Sequence, residues 1–278
     1  MMKPEDVDLK LYKLLVFDID STILPRGSQL HPFTLEVLQR LRERGIACTL
    51  ATGKNLPSAK VTADELAIDI PLILSNGTLI ETRFGEVLAR TALPETITQQ
   101  VMRICTDWPQ DLVMYIGDGL FFPEMTENLS TTYGKVPFGL HQVGDWQSIT
   151  DLFPLVNKCV AVDHQSYTNL LALEKAFRKN VNGQADVLFT CPQLLEVVPK
   201  GVDKATGMQE LAGLLGIRMD EIMAFGDFDN DTSMLAAAGL GVAVENSSPA
   251  AIASADLVIG SCDQNGPAVF LDRLLDAL

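Results

Sequence analysis

Leu14-Leu15-Val16-Phe17-Asp18-Ile19-Asp20-Ser21-Thr22 decides the fold of this chain. Four apolar residues bounded by polar ones fit a strand buried inside a parallel sheet. A strand ending in Asp-x-Asp carries two acids at its carboxyl edge, where open α/β sheets bind their ligands. Desolvating charge is costly, so a buried acid pair calls for a metal ion or a shared proton. In an extended segment, Asp18 and Asp20 point to the same face. One carboxylate can then attack as a nucleophile while the other moves a proton. Mg²⁺ suits such oxygen ligands. An EF-hand loop would need Gly at its sixth position and Glu at its twelfth. Those places hold Ile23 and Gln29, which excludes it. A solvated turn after a strand is the bland alternative.

A second acidic cluster follows Ile222-Met223-Ala224-Phe225, in Gly226-Asp227-Phe228-Asp229-Asn230-Asp231. The order repeats: apolar strand, tight turn, acids, helix. Here too an EF-hand fails, with Thr232 and Ala238 at its sixth and twelfth places. Helix capping accounts for one such side chain but not for all three acids. Two acid clusters about two hundred residues apart can meet only through the fold, where they would form an oxygen-rich cation site. Two further elements suit an anion. Ile46–Ala51 reads as a strand ending in Thr52-Gly53-Lys54, whose hydroxyl and backbone N–H groups can cradle a phosphate. Lys204 opens a helix running to about Leu215, a place the helix dipole makes unfavourable for a cation. An ordinary lysine there is solvated, but this one is placed to neutralise a phosphate.

These four elements, in this order, resemble the haloacid dehalogenase (HAD) superfamily of phosphotransferases, and more narrowly the Cof-type phosphatases of subclass IIB. Asp18, Asp20 and Thr22 match its first motif, Thr52 its second and Lys204 its third. Gly226, Asp227, Asn230 and Asp231 match its fourth. Ser75-Asn76-Gly77 and Lys200-Gly201-Val202-Asp203-Lys204 add support, as do Gly239–Val244 and Ala255–Val258. Ser21 departs from the pattern where Gly is common, as do Lys54, Ala205 and Gln264–Pro267. The resemblance implies an α/β fold, with a Rossmann-like parallel-sheet core and an inserted α+β cap of the C2B type over its active edge. It implies that Asp18 is the nucleophile and Asp20 the general acid and base. Asp18, the Asp20 backbone carbonyl, Asp227 and Asp231 would serve Mg²⁺. Thr52, Lys204, Asn230 and the N–H groups of Ile19 and Gly53 would bind phosphate.

Composition agrees with that reading. At 278 residues the chain is long enough for two domains, and its 47% hydrophobic content is ordinary for a globular protein. A net charge of −15 argues against nucleic acid or an anionic membrane as partner. It also makes a bound cation necessary if a phosphate is to approach. The N-terminus lacks an apolar signal core, and the longest apolar or glycine run, Met234 to Val244, is too short for a span of about twenty residues. Five scattered cysteines without a C-x-x-C pair read as reduced thiols, so a cytoplasmic location is expected. Cys48 reads as a small core residue. The three histidines show no metal-ligand spacing. Oligomeric state is not readable.

Strands alternate with helices from the first strand to residue 82. Leu35, Leu38 and Leu41 lie at helical spacing, with Gly45 at the C-terminal cap. Between residues 83 and 190 the texture changes to helices near 94–106 and 166–180, interleaved with short strands. Gly117-Asp118-Gly119 and Asn182-Gly183 suggest hairpins there. The alternating pattern is expected to resume at Leu194–Val198. The expected domains are therefore a core of residues 1–82 and 191–278 and a substrate-selecting insertion of 83–190, with hinges at Arg83-Phe84-Gly85 and Thr190-Cys191-Pro192. The expected function is Mg²⁺-dependent hydrolysis of a small phosphorylated metabolite, such as a sugar phosphate, through an aspartyl-phosphate. A phosphomutase is the nearest alternative. A non-enzymatic metal-dependent binding protein is disfavoured, because binding alone does not need Asp20.

Overall fold

The computed structural model describes residues 3–25, 27 and 29–277. In chain order the first elements are β1 (Leu14–Phe17), α1 (Pro32–Glu43), β2 (Ala47–Leu50), α2 (Leu56–Glu65), β3 (Leu72–Leu74), β4 (Leu79–Glu81) and β5 (Val87–Arg90). Next come α3 (Glu95–Thr106), β6 (Asp111–Ile116), β7 (Gly119–Phe122), α4 (Glu127–Tyr133), β8 (Leu140–Gln142), β9 (Val156–Val162), α5 (Tyr167–Val181), β10 (Ala185–Cys191) and β11 (Leu194–Pro199). The chain closes with α6 (Lys204–Leu215), β12 (Ile222–Gly226), α7 (Thr232–Ala237), β13 (Leu240–Val244), α8 (Pro249–Ser254), β14 (Leu257–Ile259) and α9 (Gly266–Asp276). Two compact units result: Met1–Thr52, Ala59–Leu88 and Asp203–Leu278 form one, Gly53–Ser58 and Ala89–Val202 the other. Among the described residues, no helix is long and apolar enough to cross a membrane.

The first unit holds a parallel sheet in the order β14-β13-β12-β1-β2. β1 has a parallel neighbour on each side and is buried along its whole length, which is why its sequence is an unbroken apolar run. The order also explains how distant acids meet. Phe17 is in register with Phe225, their rings stack at 4.6 Å, and the Asp18 N–H donates to the Phe225 carbonyl at 2.9 Å. The chain segments after β1 and β12 therefore leave the same sheet edge side by side. Ala51 bridges Ile73 in parallel fashion, which places Thr52 beside the end of β3. β3 then turns back antiparallel onto β4. α6 begins with a capping box, in which the Asp203 side chain accepts from the Thr206 N–H, and it ends at a left-handed Gly216.

The second unit is built on a six-stranded sheet, β10-β11-β9-β6-β7-β8, antiparallel except where β7 meets β8. Met114, Cys159 and Val197 on one face pack in a core with Val101 of α3 and Leu173 and Phe177 of α5. The other face carries Val113, Tyr115, Val160 and Val162, packed with Leu129 and Tyr133 of α4. Lys158 alternates onto this second face and is almost wholly buried. Its Nζ lies 2.7 Å from Glu196 and 3.0 Å from the Gly53 carbonyl, and 4.5 Å above the Tyr115 ring.

Several local expectations differ from what the chain does. Leu194–Val198 does not resume the parallel alternation; it is β11, paired antiparallel with both β10 and β9. A strand covered on both faces is mostly apolar whichever way its neighbours lie, and here only Glu196 interrupts the apolar residues. Gly117-Asp118 does close a hairpin between β6 and β7. Asn182-Gly183 instead terminates α5, both residues having left-handed φ of 45° and 74°. The same chemistry that makes Asn-Gly a hairpin turn makes it a helix stop. Thr190 and Cys191 lie within β10, and Arg83-Phe84-Gly85 forms the turn between β4 and β5. The chain passes between the two units at 88/89 and 202/203, and also around the short stretch 53–58. Cys48 is buried in β2, where burial pushes its thiol up to about 12, in keeping with a small core residue.

Candidate active site

Asp18 is the first residue past β1 and is buried. The chain then turns sharply: the Leu24 N–H donates to the Ile19 carbonyl at 2.9 Å and the Ser21 N–H to the Leu24 carbonyl at 2.8 Å. Ser21 has φ 64°, the left-handed region, which accounts for glycine being common at this place. Ile19 is buried, whereas Asp20 is exposed on this turn and its carboxylate lies outside the acid cluster. Asp20 lies past the end of β1, on the turn, so strand alternation does not by itself set where its side chain points. Thr22 returns inward, wholly buried, and donates its hydroxyl to Asp227 Oδ1 at 3.0 Å.

The second cluster is folded around Asp231. One of its oxygens accepts the N–H groups of Asp227 and Phe228, each at 3.0 Å. The other accepts from Lys204 Nζ at 2.6 Å. Gly226 is required here, since a Cβ on it would lie 2.5 Å from the Cβ of Asp231. Lys204 also reaches Asp18 Oδ1 at 2.5 Å. Far from being solvated, this lysine is 0% exposed. Oxygen atoms of Asp18, Asp227 and Asp231 all lie within 4.8 Å of one another.

Thr52 is buried beside this cluster's supporting loops. Its N–H donates to the Ile73 carbonyl at 2.9 Å, and its carbonyl accepts the Asn76 N–H at 2.9 Å. Asn230 donates its amide to Asn76 Oδ1 at 3.1 Å. Gly53 belongs to the second unit, where its carbonyl meets Lys158. Thr22 and Asn76 were visible in the sequence as parts of motifs. Nothing in the sequence identified Asp227 as the partner of one or Thr52 and Asn230 as those of the other.

The electrostatics follow from counting charge. Three buried carboxylates face one buried ammonium. Burial pushes the Asp18 carboxyl up to about 8; Asp231 and Asp227 add to the rise, against the opposing pull of Lys204. Burial alone would depress the Lys204 ammonium, but Asp18 and Asp231 hold it above its ordinary value. The lysine is therefore charged, and the trio of acids retains surplus negative charge. A proton or a cation must compensate it. An all-oxygen donor set with that surplus fits a hard divalent cation. Such an arrangement can hold a cation, present a carboxylate oxygen to an electrophile and offer an ammonium to an anion.

Comparison with known proteins gives this geometry a family. Residues 15–271 match the family model of haloacid dehalogenase-like hydrolases. A protein of Serratia proteamaculans called HMP-PP phosphatase is 32% identical over 272 residues, covering 95% of this chain and 96% of its own length. A protein of the same name from Yersinia pseudotuberculosis is 30% identical, with 96% and 97% covered. Among solved structures, a haloacid dehalogenase-like hydrolase from Bacteroides thetaiotaomicron superposes with a TM-score of 0.85 at 25% identity, over 95% of this chain and 99% of that one. A subclass IIB sugar phosphatase shares the fold at a TM-score of 0.81 and 22% identity, over 94% and 98% of the two chains. The chain belongs to the haloacid dehalogenase-like hydrolases and is an enzyme of their phosphatase branch.

Proposed function

We propose that the protein is a Mg²⁺-dependent phosphatase of a small phosphorylated metabolite, working through an aspartyl-phosphate. The observation that carries this reading is the buried group of Asp18, Asp227 and Asp231 around Lys204. Asp18 and Asp227 would hold the cation together with the Asp20 backbone carbonyl, and Asp231 would support them. When bound, Mg²⁺ neutralises charge on the phosphoryl oxygens and keeps Asp18 ionised.

In the first half-reaction an Asp18 carboxylate oxygen attacks phosphorus, and the bond from phosphorus to the leaving oxygen breaks. Asp20, on its exposed turn, gives its proton to that oxygen. In the second, water attacks the same phosphorus and passes a proton to Asp20. The bond to Asp18 breaks and inorganic phosphate leaves. Lys204, Thr52 and Asn230, with the N–H groups of Ile19 and Gly53, bind the phosphoryl oxygens through both steps. Lys204 gives up part of its contact with Asp18 to the incoming anion, so its charge is retained while its partner changes.

The second unit selects the substrate, since apart from Gly53 every residue named in this scheme lies in the first unit. HMP-PP is the first metabolite to test, because relatives about as similar as 32% carry its name; sugar phosphates are the second, from the fold relative that acts on them. The cytoplasm is the compartment we assign. A chromogenic phosphate ester, assayed with EDTA and then with added Mg²⁺, tests the reading. Inorganic phosphate should appear only with the cation; release without it, or conversion of a sugar phosphate to its isomer without release of phosphate, would overturn it.

A further inference from the structure

The turn Ser75-Asn76-Gly77 follows β3 in the first unit and has no part in the scheme above. All three residues have left-handed φ, at 50°, 58° and 93°. That conformation is costly for serine, tolerated by asparagine and free for glycine. Successive left-handed residues persist only where their surroundings over-determine them, and such places cluster at functional sites. Here the surroundings are the catalytic elements themselves. A Cβ on Gly77 would lie 2.0 Å from the carbonyl oxygen of Asp203, the residue before Lys204. A Cβ on Gly207, one turn along α6, would lie 2.7 Å from the Gly77 Cα. The turn is thus wedged against the start of the helix that carries Lys204.

Asn76 itself is buried and engages two other members of the phosphate set. Its N–H donates to the Thr52 carbonyl at 2.9 Å, and its Oδ1 accepts the Asn230 amide at 3.1 Å. In a planar trans peptide, C=O and N–H point in opposite directions. Fixing the Thr52 carbonyl therefore fixes the direction of the Gly53 N–H. A primary amide carries two N–H donors in one plane. Holding one Asn230 donor on Asn76 sets the direction of the second.

We propose that Asn76 is a positioning residue for phosphoryl transfer, which through its backbone N–H and its carboxamide aims the Gly53 and Asn230 donors at the phosphoryl group. The inference rests on the phosphatase reading above. Its rival is that asparagine stands here only because it tolerates a left-handed turn.

Asn76→Gly separates the two, because glycine keeps the turn and the backbone donor and deletes only the carboxamide. Measured with Mg²⁺ and p-nitrophenyl phosphate, the variant should lose about tenfold or more in kcat/KM, in line with the cost of misplaced catalytic groups. Inhibition by vanadate should weaken in parallel. Asn230→Ala should show a similar loss, and the double variant should be no worse than Asn230→Ala alone, the signature of two residues acting as one unit. A residue with a merely structural role would lower the melting temperature without this coupling in kcat/KM. Should Asn76→Gly fail to melt cooperatively, Asn76→Ser takes its place in the cycle, since the neighbouring Ser75 already has a positive φ of 50°. A wild-type-like kcat/KM and vanadate affinity in the single variant, or losses that simply multiply, would overturn the proposal. An inactive wild-type enzyme would overturn the phosphatase reading instead, and this inference with it.

Discussion

Lys204 Nζ lies 2.6 Å from an oxygen of Asp231, and both side chains are 0% exposed. A fully buried ion pair costs desolvation on both sides, and removing one partner strands the other. Lys204→Met should therefore destabilise the metal-free protein by about 3–5 kcal/mol. It should also lower kcat/KM by several orders of magnitude and weaken vanadate binding. Added Mg²⁺ should recover part of the stability but not the activity, because the cation replaces the charge and not the phosphate contact. Denaturant melts with and without Mg²⁺ check the first statement, and inhibition kinetics the second. Unchanged vanadate binding would reduce Lys204 to a structural cation.

Asp18 gives the metal-free protein a pH dependence opposite to that of an ordinary surface acid. In the folded state burial pushes its carboxyl up to about 8, whereas in the unfolded chain it titrates near 3.9. The folded state thus holds a proton that the unfolded chain has released. The stability this provides is fully present below about pH 4 and is lost as pH rises through about 8. In EDTA, the denaturant midpoint should fall between pH 5 and pH 8, and Asp18→Asn should flatten that slope. Mg²⁺ competes with the same proton, so its affinity should rise over the same interval. Asp18→Asn should also retain less than about a tenth of wild-type kcat, a barrier increase above roughly 1.4 kcal/mol. More activity than that would exclude the covalent intermediate.

Thr22 donates to Asp227 at 3.0 Å across 205 residues of sequence. Partners that orient a metal-binding side chain typically affect affinity 10–100-fold. Thr22→Val keeps the shape and deletes the donor. The Mg²⁺ concentration for half-maximal activity should rise about tenfold, with a fold cost of about 1–3 kcal/mol. Thr22→Ser should restore most of the affinity. An unchanged Mg²⁺ requirement in Thr22→Val would mean that Asp227 is held without it.

Much of this site was legible because its elements are strand ends. An apolar run such as Leu14–Phe17 followed by acids announces a buried strand and its ligand edge together. The meeting of Asp18 with Asp227 and Asp231 needed only the inference that two such edges share one sheet. The burial of Lys204 was not legible, since local rules place a lysine at a helix start in solvent. Its partners lie 186 and 27 residues away. The exposure of Asp20 was not legible either, since Asp20 lies past the end of β1, next to the left-handed Ser21 of a turn. The pairing of the strand that follows Thr190-Cys191-Pro192 was not legible for a related reason. β11 is buried on both faces and apolar except for Glu196, and its antiparallel pairing is fixed by β9 and β10, not by its own composition.

The Lys158–Glu196 pair, 2.7 Å apart and buried in the second unit, makes the last prediction. Lys158 meets Glu196, the Gly53 carbonyl and the Tyr115 ring at once, so its charge is well compensated. Lys158→Met would leave the Glu196 carboxylate without its ammonium partner in an apolar layer. The expected cost is about 3–5 kcal/mol. Replacing both members, as in Lys158→Met with Glu196→Leu, removes the stranded charge and adds apolar contact with Val113, Val160 and Val162. Buried pairs replaced in this way are often neutral or stabilising. The double variant should therefore melt close to the wild type, while each single change melts well below it. Because Lys158 also holds the Gly53 carbonyl, the stable double variant should still show a raised KM for small phosphate esters. Comparing the melts with KM in the same three proteins separates the two effects. A double variant as unstable as the single ones would show that the charge itself, and not its compensation, holds this layer together.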